Sequence, residues 1–215
     1  VYPPLVCTHA MLMWHKLVVI GMSAESGGGS GSVPAYTEVD VEVLVVGAGA
    51  AGARTAIELA EHGVDDVLVL GKRNHGDAHT TWARGGINGA LGTHDPEDDW
   101  TIHAADTLNE GHFVNDPEKV ETVTEQMPER LRELDDWGMD FSRTESGEPD
   151  QRYFGAQSFR RTAFAGDYTG EALLNTLVEK AQEHEVPYRE NVMVTKLLSD
   201  GERSYGAVGF DMESN

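Results

Sequence analysis

Hydrophobic patterning along the chain predicts folded structure from about residue 40 onward. Val41 to Val46 reads as one continuous apolar strand. A glycine turn follows, and then a helix with apolar positions at Ala53, Ile57, Leu59 and Ala60, stopped by Gly63. The run "DVLVLGK" is a second strand, short and apolar throughout, as a strand buried on both faces of a parallel sheet should be. A loop from Arg73 to Gly92 precedes "DPEDDWTIHAADTLNEG", a helix started by Asp95 and Pro96 and stopped by Gly111. "NDPEKVETVTEQMPERLRELDDWG" repeats the Asp-Pro start, and Pro128 is expected to break it into two helices. "TGEALLNTLVEKAQEHE" is one more amphipathic helix, and two strands around an Asp200-Gly201 turn close the chain. The pattern predicts an α/β fold of Rossmann type: a parallel sheet opened by a glycine-rich βαβ unit, incomplete, with a C-terminal β-hairpin.

Residues 1–39 lack such periodicity and are expected to be a leader, with residues 40–215 forming the folded part. "VYPPLVCTHAMLMWHKLVVIG" is apolar, but Pro3, Pro4, His9, His15 and Lys16 interrupt it, so it falls short of a transmembrane span. It also lacks the basic start and small-residue cleavage site of a signal peptide. "MSAESGGGSGSVPAYTEVD" has the Gly/Ser-rich composition of a disordered segment. The simplest account starts translation at Met22, with the upstream residues an over-extended reading frame.

Charge narrows the choice of partner. The 215 residues hold 37 acidic and 16 basic side chains, a net charge of −21. Nucleic acid is excluded as a partner, because phosphate binding needs clustered cations. Carboxylates spread along regular helices suit a salt-rich cytoplasm, where screening suppresses their mutual repulsion. The lone Cys7 excludes an internal disulfide framework and a cysteine-rich zinc or iron–sulfur site, and no metal site is expected.

Chemistry enters at Gly47-Ala48-Gly49-Ala50-Ala51-Gly52, between the first strand and the first helix. The first glycine permits a tight turn, the second lets a pyrophosphate approach the backbone, and the third lets helix and strand pack closely. The helix N-terminus adds free amides and a partial positive charge. An acidic residue roughly 20 positions on usually holds the ribose hydroxyls of a dinucleotide. Here Leu70, Gly71 and Lys72 stand in that place, which weakens a nicotinamide reading. A flavin dinucleotide, its adenosine half held by backbone groups at Gly71 and by Lys72, is compatible with it.

Four further stretches, "LGKRNHGDAHTTWARGGINGALG", "DDWTIHAADTLNEG", "GMDFSRTESGEPDQRYFGAQS" and "RTAFAGDYTGEALLNTL", resemble in order and spacing the flavoprotein subunit of succinate dehydrogenase and fumarate reductase. The likeness runs from about Val41 to the end of the chain. It implies that His79 is bonded covalently to the 8α-methyl carbon of FAD, with Thr80 beside it. Such a bond withdraws electrons from the isoalloxazine and raises its reduction potential, as a weak reductant like succinate requires. It further implies that the backbone of Gly85 and Gly86 lies against the flavin and a dicarboxylate, and that Phe154 walls the substrate pocket and excludes water. Asp167, Thr169 and Gly170 match a segment near the cofactor, although a helix start explains them equally well as caps. Arg161 matches a family arginine and Arg160 does not; either reads equally as solvated. His75 matches no family role and is expected at the surface.

The chain also departs from the family. Arg84 stands where glutamine or glutamate is usual beside the flavin, and a cation there would favour anionic reduced flavin and a substrate carboxylate. Glu171 replaces a histidine, and Trp82 a small residue. The resemblance implies an iron–sulfur partner, membrane-anchor subunits and a quinone acceptor, on the cytoplasmic face of the membrane. It also implies that the capping domain and the groups handling the substrate proton are not among these residues, so that this piece alone is inactive. L-aspartate oxidase, which shares the architecture without the tethering histidine, is the alternative enzyme, and a non-catalytic truncated product the alternative of another class.

Overall fold

The computed structural model describes residues 15–20, as backbone, and residues 36–213. Elements follow in the order β1 (His15–Ile20), β2 (Tyr36–Val41), β3 (Val43–Val46), α1 (Ala50–Glu61), β4 (Val67–Leu70), a 3-10 turn (His79–Trp82), β5 (Ile87–Asn88), α2 (Trp100–Glu110), α3 (Pro117–Asp136), β6 (Gln151–Arg152), β7 (Thr162–Ala163), α4 (Thr169–Glu183), β8 (Tyr188–Arg189), β9 (Val192–Ser199) and β10 (Ser204–Asp211). They form two compact units, one of residues 1–77 with 181–215 and one of residues 78–180.

The first unit is the α/β part. Its parallel sheet has the order β3-β4-β8, and every residue of β4 is buried, as the unbroken apolar run requires. Helix α1 buries Ala53, Ala56 and Ile57, and Gly63 ends it at a φ of +76°. A second sheet has the order β2-β1-β10-β9, in which β9 and β10 make the expected hairpin. Val41, Leu68, Leu70, Val192 and Ala207 share one apolar core.

Two expectations change here. The run from Val41 to Val46 is two strands, because the chain bends at Glu42, whose N–H donates to the Asp66 carboxylate at 3.0 Å. Structure also begins before residue 40: β1 lies between β2 and β10, antiparallel to the first and parallel to the second. β2 also starts within the expected leader, at Tyr36, and residues 1–14 and 21–35, including Met22, lie outside the described residues.

The second unit packs α2, α3 and most of α4 with a small antiparallel sheet of order β5-β7-β6. Leu131, Met139, Phe141, Ala163, Ala165 and Leu174 are its most deeply buried apolar side chains. Helix α2 starts later than its Asp-Pro signal, at Trp100, with Asp99 as N-cap accepting from the Thr101 N–H at 2.9 Å. Asp95 is instead taken up by Arg160. Pro128 does not divide α3, which continues through it. Its buried stripe of Val120, Thr124, Leu131 and Leu134 extends on both sides of the proline, and that burial outweighs a lost hydrogen bond and a local clash worth about 3 kcal/mol.

Candidate functional site

In the first unit, the glycine turn joins β3 to α1 at the carboxyl ends of the parallel strands, where open α/β sheets bind ligands. Gly47 has a φ of +109°, and no atom lies within 4 Å of where its β-carbon would be, so the backbone there is open to a close partner. The Gly47 N–H donates to the Leu70 carbonyl at 2.9 Å, which ties the turn to the end of β4. At Gly52 a β-carbon would fall 1.8 Å from the Gly47 oxygen, so the turn closes only with glycine. Gly49 caps α1 without a side-chain hydrogen bond, and the first turn, begun by Ala50 and Ala51, holds no acidic residue. No protein carboxylate of that turn therefore offsets the positive end of α1, and the residues present fit a pyrophosphate. Gly71 is buried, its N–H bonded to the Arg189 carbonyl at 2.9 Å, and Lys72 is exposed.

His75 departs from expectation. Its ring stacks on Tyr188 with centroids 4.0 Å apart and planes 13° from parallel, so it is half-buried rather than a surface residue. Burial lowers its imidazole pKa, against the opposing pull of Glu190. Ala48 of the glycine turn lines one small cavity together with His75 and Tyr188.

The second unit brings three of the separated motifs into one cluster. His79 opens a 3-10 turn and is exposed, with its ring edge-on to Trp82 at 5.7 Å. This turn rests on the start of α4: the Gly170 N–H donates to the Ala83 carbonyl at 2.8 Å, and a β-carbon on Gly170 would lie 1.9 Å from the Thr80 oxygen. Arg84 reaches the same segment, donating to the Asp167 carbonyl at 2.9 Å. Its guanidinium thus braces two loops as well as placing a cation beside them.

Gly85 and Gly86 follow, each constrained by a different neighbour. A β-carbon on Gly85 would meet the Phe154 ring at 2.9 Å; one on Gly86, whose φ is +114°, would meet Thr162 at 2.4 Å. Phe154 itself is 57% exposed, so its ring covers Gly85 and leaves its other face open. Arg152 holds this seam, donating to the Gly85 carbonyl at 3.1 Å with its guanidinium 4.2 Å above the Phe164 ring. Asp167 does not cap α4. The Tyr168 carbonyl accepts the first helical N–H, from Ala172, and the Thr169 hydroxyl turns back to accept from the Ala165 N–H at 3.1 Å.

Beneath the cluster lies a polar network that joins two of the family-like stretches, a pairing the sequence alone does not show. Arg161 is fully buried and pairs bidentately with Asp98, at 3.0 and 2.7 Å, and with Asp106 at 2.8 Å. Asp106 also accepts from the Ser158 N–H and hydroxyl, each at 2.8 Å. Arg160 pairs with Asp95, whose carboxyl that guanidinium holds at a pKa of about 2. Neither arginine is merely solvated. His103, Asn88, Gln157, Asp106 and Phe154 are among the residues lining a cavity of about 330 Å³ beside this network. The pair Asp98 and Asp106, spaced across the start of an amphipathic helix, is the available signal for a buried cation. Among the described residues no cluster of three metal-ligating side chains occurs.

Known proteins share this geometry. Residues 42–215 match the family model described as FAD binding domain. The chain is 39% identical over 170 residues to a subunit of the fumarate reductase (CoM/CoB) of Methanothermobacter marburgensis, covering 79% of this chain and 31% of that one. It is 35% identical to the mitochondrial succinate dehydrogenase flavoprotein subunit of Oryza sativa, covering 94% of this chain and 36% of that one. The Mycobacterium smegmatis Sdh1 complex superposes with a TM-score of 0.73 at 34% identity, over 79% of this chain and 32% of that chain. The chain thus spans about a third of the length of the relatives it matches.

Proposed function

We propose, on the premise that the chain belongs to the FAD-binding domain family and is a relative of the succinate dehydrogenase and fumarate reductase flavoproteins, that it is the cofactor-holding part of an enzyme interconverting succinate and fumarate. In this reading Gly47, Gly49 and Gly52, with the start of α1, hold the pyrophosphate of FAD, and His79 holds its ring through a covalent bond. When bound there, FAD would supply the hydride acceptor and the electron link to an iron–sulfur partner and quinone.

The observation that carries this reading is the cluster in which His79, Gly85, Gly86, Phe154 and the Asp167–Gly170 segment converge from three stretches of sequence. Phe154 and Thr162 fill the space where side chains of Gly85 and Gly86 would stand, which pins the backbone that this reading sets against the flavin. Phe154 excludes water from the reacting carbons and so strengthens the electrostatics there. Arg84 supplies a cation beside the glycine pair, oriented by the Asp167 carbonyl, and would attract a dicarboxylate. No acid or base for the substrate proton is assigned among residues 78–180, so the 215-residue chain alone is expected not to turn over.

The reading puts the enzyme on the cytoplasmic face of the membrane, held there by partner subunits. Among the described residues no helix is long and apolar enough to cross a membrane. Acid precipitation of the purified protein followed by in-gel flavin fluorescence tests the tether. Fluorescence should survive in the parent and be absent from His79→Ala. A parent that sheds all its flavin under acid, or carries nicotinamide, would overturn the reading.

A further inference from the structure

The end of β4 poses a problem that the glycine turn does not solve. A dinucleotide site of this fold usually has an acidic side chain there for the ribose hydroxyls. Gly71 and Lys72 bring none, and the Gly71 N–H and carbonyl, expected to help hold the adenosine, are taken by Arg189 and Val192. The neighbouring strand fills the gap. Gly71 is bonded through its N–H to the Arg189 carbonyl, so β8 runs alongside the end of β4. A β-carbon on Gly71 would lie 1.7 Å from the Tyr188 hydroxyl oxygen, so that phenol occupies the volume where a side chain of residue 71 would begin. Glu190, two residues further, is exposed, and its Oε1 accepts from the His75 N–H at 2.7 Å. Its other oxygen has no hydrogen-bond partner among the described residues.

We infer that Tyr188 and Glu190, reaching across from β8, replace the missing acid of β4 and hold the ribose hydroxyls of the adenosine half of FAD. This rests on the flavin reading above and assigns residues that it leaves unassigned. A carboxylate is an acceptor only, matched to two hydroxyl donors. The Tyr188 hydroxyl donates to the Arg73 carbonyl at 3.2 Å, which leaves its oxygen free to accept. Burial pushes its pKa up to about 12, with Glu190 and Asp77 adding to the shift, so the phenol keeps its proton at neutral pH. His75, stacked on the Tyr188 ring and bonded through its backbone to Glu190, fixes both groups. The Glu190 charge would also repel a 2′-phosphate, which selects against a phosphorylated adenosine.

The test uses the flavoprotein at its full natural length, with His79→Ala as parent so that flavin binds reversibly. FAD and FMN are titrated separately by flavin fluorescence. Adding Glu190→Gln should weaken FAD about tenfold or more and leave FMN unchanged, and Tyr188→Phe should act in the same direction with its ring stack intact. An FAD analogue lacking both adenosine ribose hydroxyls should bind parent and variants alike. Variants that hold FAD as tightly as the parent, or that lose FMN and FAD equally, overturn the inference while the flavin reading stands. A parent that binds neither flavin overturns both.

Discussion

Gly170 and Thr80 are locked together: a β-carbon on the glycine would fall 1.9 Å from the threonine carbonyl oxygen and 2.9 Å from the Ala83 backbone nitrogen. Both obstacles are backbone, so neither can swing aside. Gly170→Ala is therefore expected to force the His79 turn away from α4 and to destabilise the second unit by about 1–3 kcal/mol. Urea unfolding measures the loss, and the yield of acid-stable flavin should fall with it. An unchanged midpoint would mean that the turn does not rest on α4.

The Arg161 network makes a larger claim on stability. Asp98 is 1% exposed at its side chain and Asp106 20%, and Arg161, 0% exposed, is the cation bonded to both. Replacing it with methionine leaves two carboxylates in a poorly solvated site. The expected loss is about 3–5 kcal/mol, well above the effect of a surface ion pair. Arg161→Met combined with Asp98→Leu should recover part of that loss, since the second change removes one of the stranded charges. A double variant as unstable as the sum of the singles would show the two residues to be uncoupled.

What can be read from the sequence is local. The β3–α1–β4 unit, the Gly63 stop, α4 and the β9–β10 hairpin all declare themselves within a few residues, through periodicity and turn glycines. Arg161 does not, because its partners lie 63 and 55 positions away and a solvated arginine looks the same on paper. Tyr188 and Glu190 escape notice for the same reason: they serve the end of β4 from β8, and only strand pairing brings them there. Pro128 misleads because its local rule is sound, but a buried stripe on one face of α3 overrides it. The glycines at 85, 86 and 170 are recognisable from resemblance, yet the groups that forbid a side chain there are tertiary.

His103 gives the acid limb of stability a distinct onset. Burial, then the Arg161 charge, lowers its imidazole pKa from the ordinary 6.5, with Asp98 and Asp106 opposing. The unfolded chain thus takes up a proton near pH 6.5 that the folded chain refuses until lower pH. Stability should be level above about pH 7 and fall as pH drops through 6 towards the lowered folded pKa. Burial raises the Asp106 carboxyl, but its bonds to Ser158 and Arg161 outweigh that and leave its pKa depressed, so its own contribution disappears only below about pH 4. His103→Gln should shrink the upper limb to the part contributed by His75, whose pKa burial also lowers, and retain the lower one. Urea midpoints measured from pH 8 down to about 2.5, past the ordinary carboxylate pKa, would reveal this, and a variant with the parent's slope between about pH 7 and 5 would assign the onset elsewhere.

The acidic surface makes a prediction about salt. On α3, Glu121, Glu125, Glu129 and Glu133 follow one another at intervals of four, so like charges stack along one line of the helix. Arg130 answers only the last two, bonding Glu133 at 3.0 Å and Glu129 at 3.5 Å. Each unanswered pair destabilises by roughly 0.2–0.5 kcal/mol at low ionic strength and by much less once the Debye length shrinks to about 3 Å at 1 M salt. Thermal midpoints should accordingly rise with KCl. Glu125→Lys turns two repulsive pairs into attractive ones and should add about 1 kcal/mol at low salt. At molar KCl the advantage should nearly vanish, because the substitution touches an exposed residue and alters little besides charge. A gain of equal size at both salt concentrations would locate the effect in helix propensity or packing and would remove the case for a surface adapted to salt.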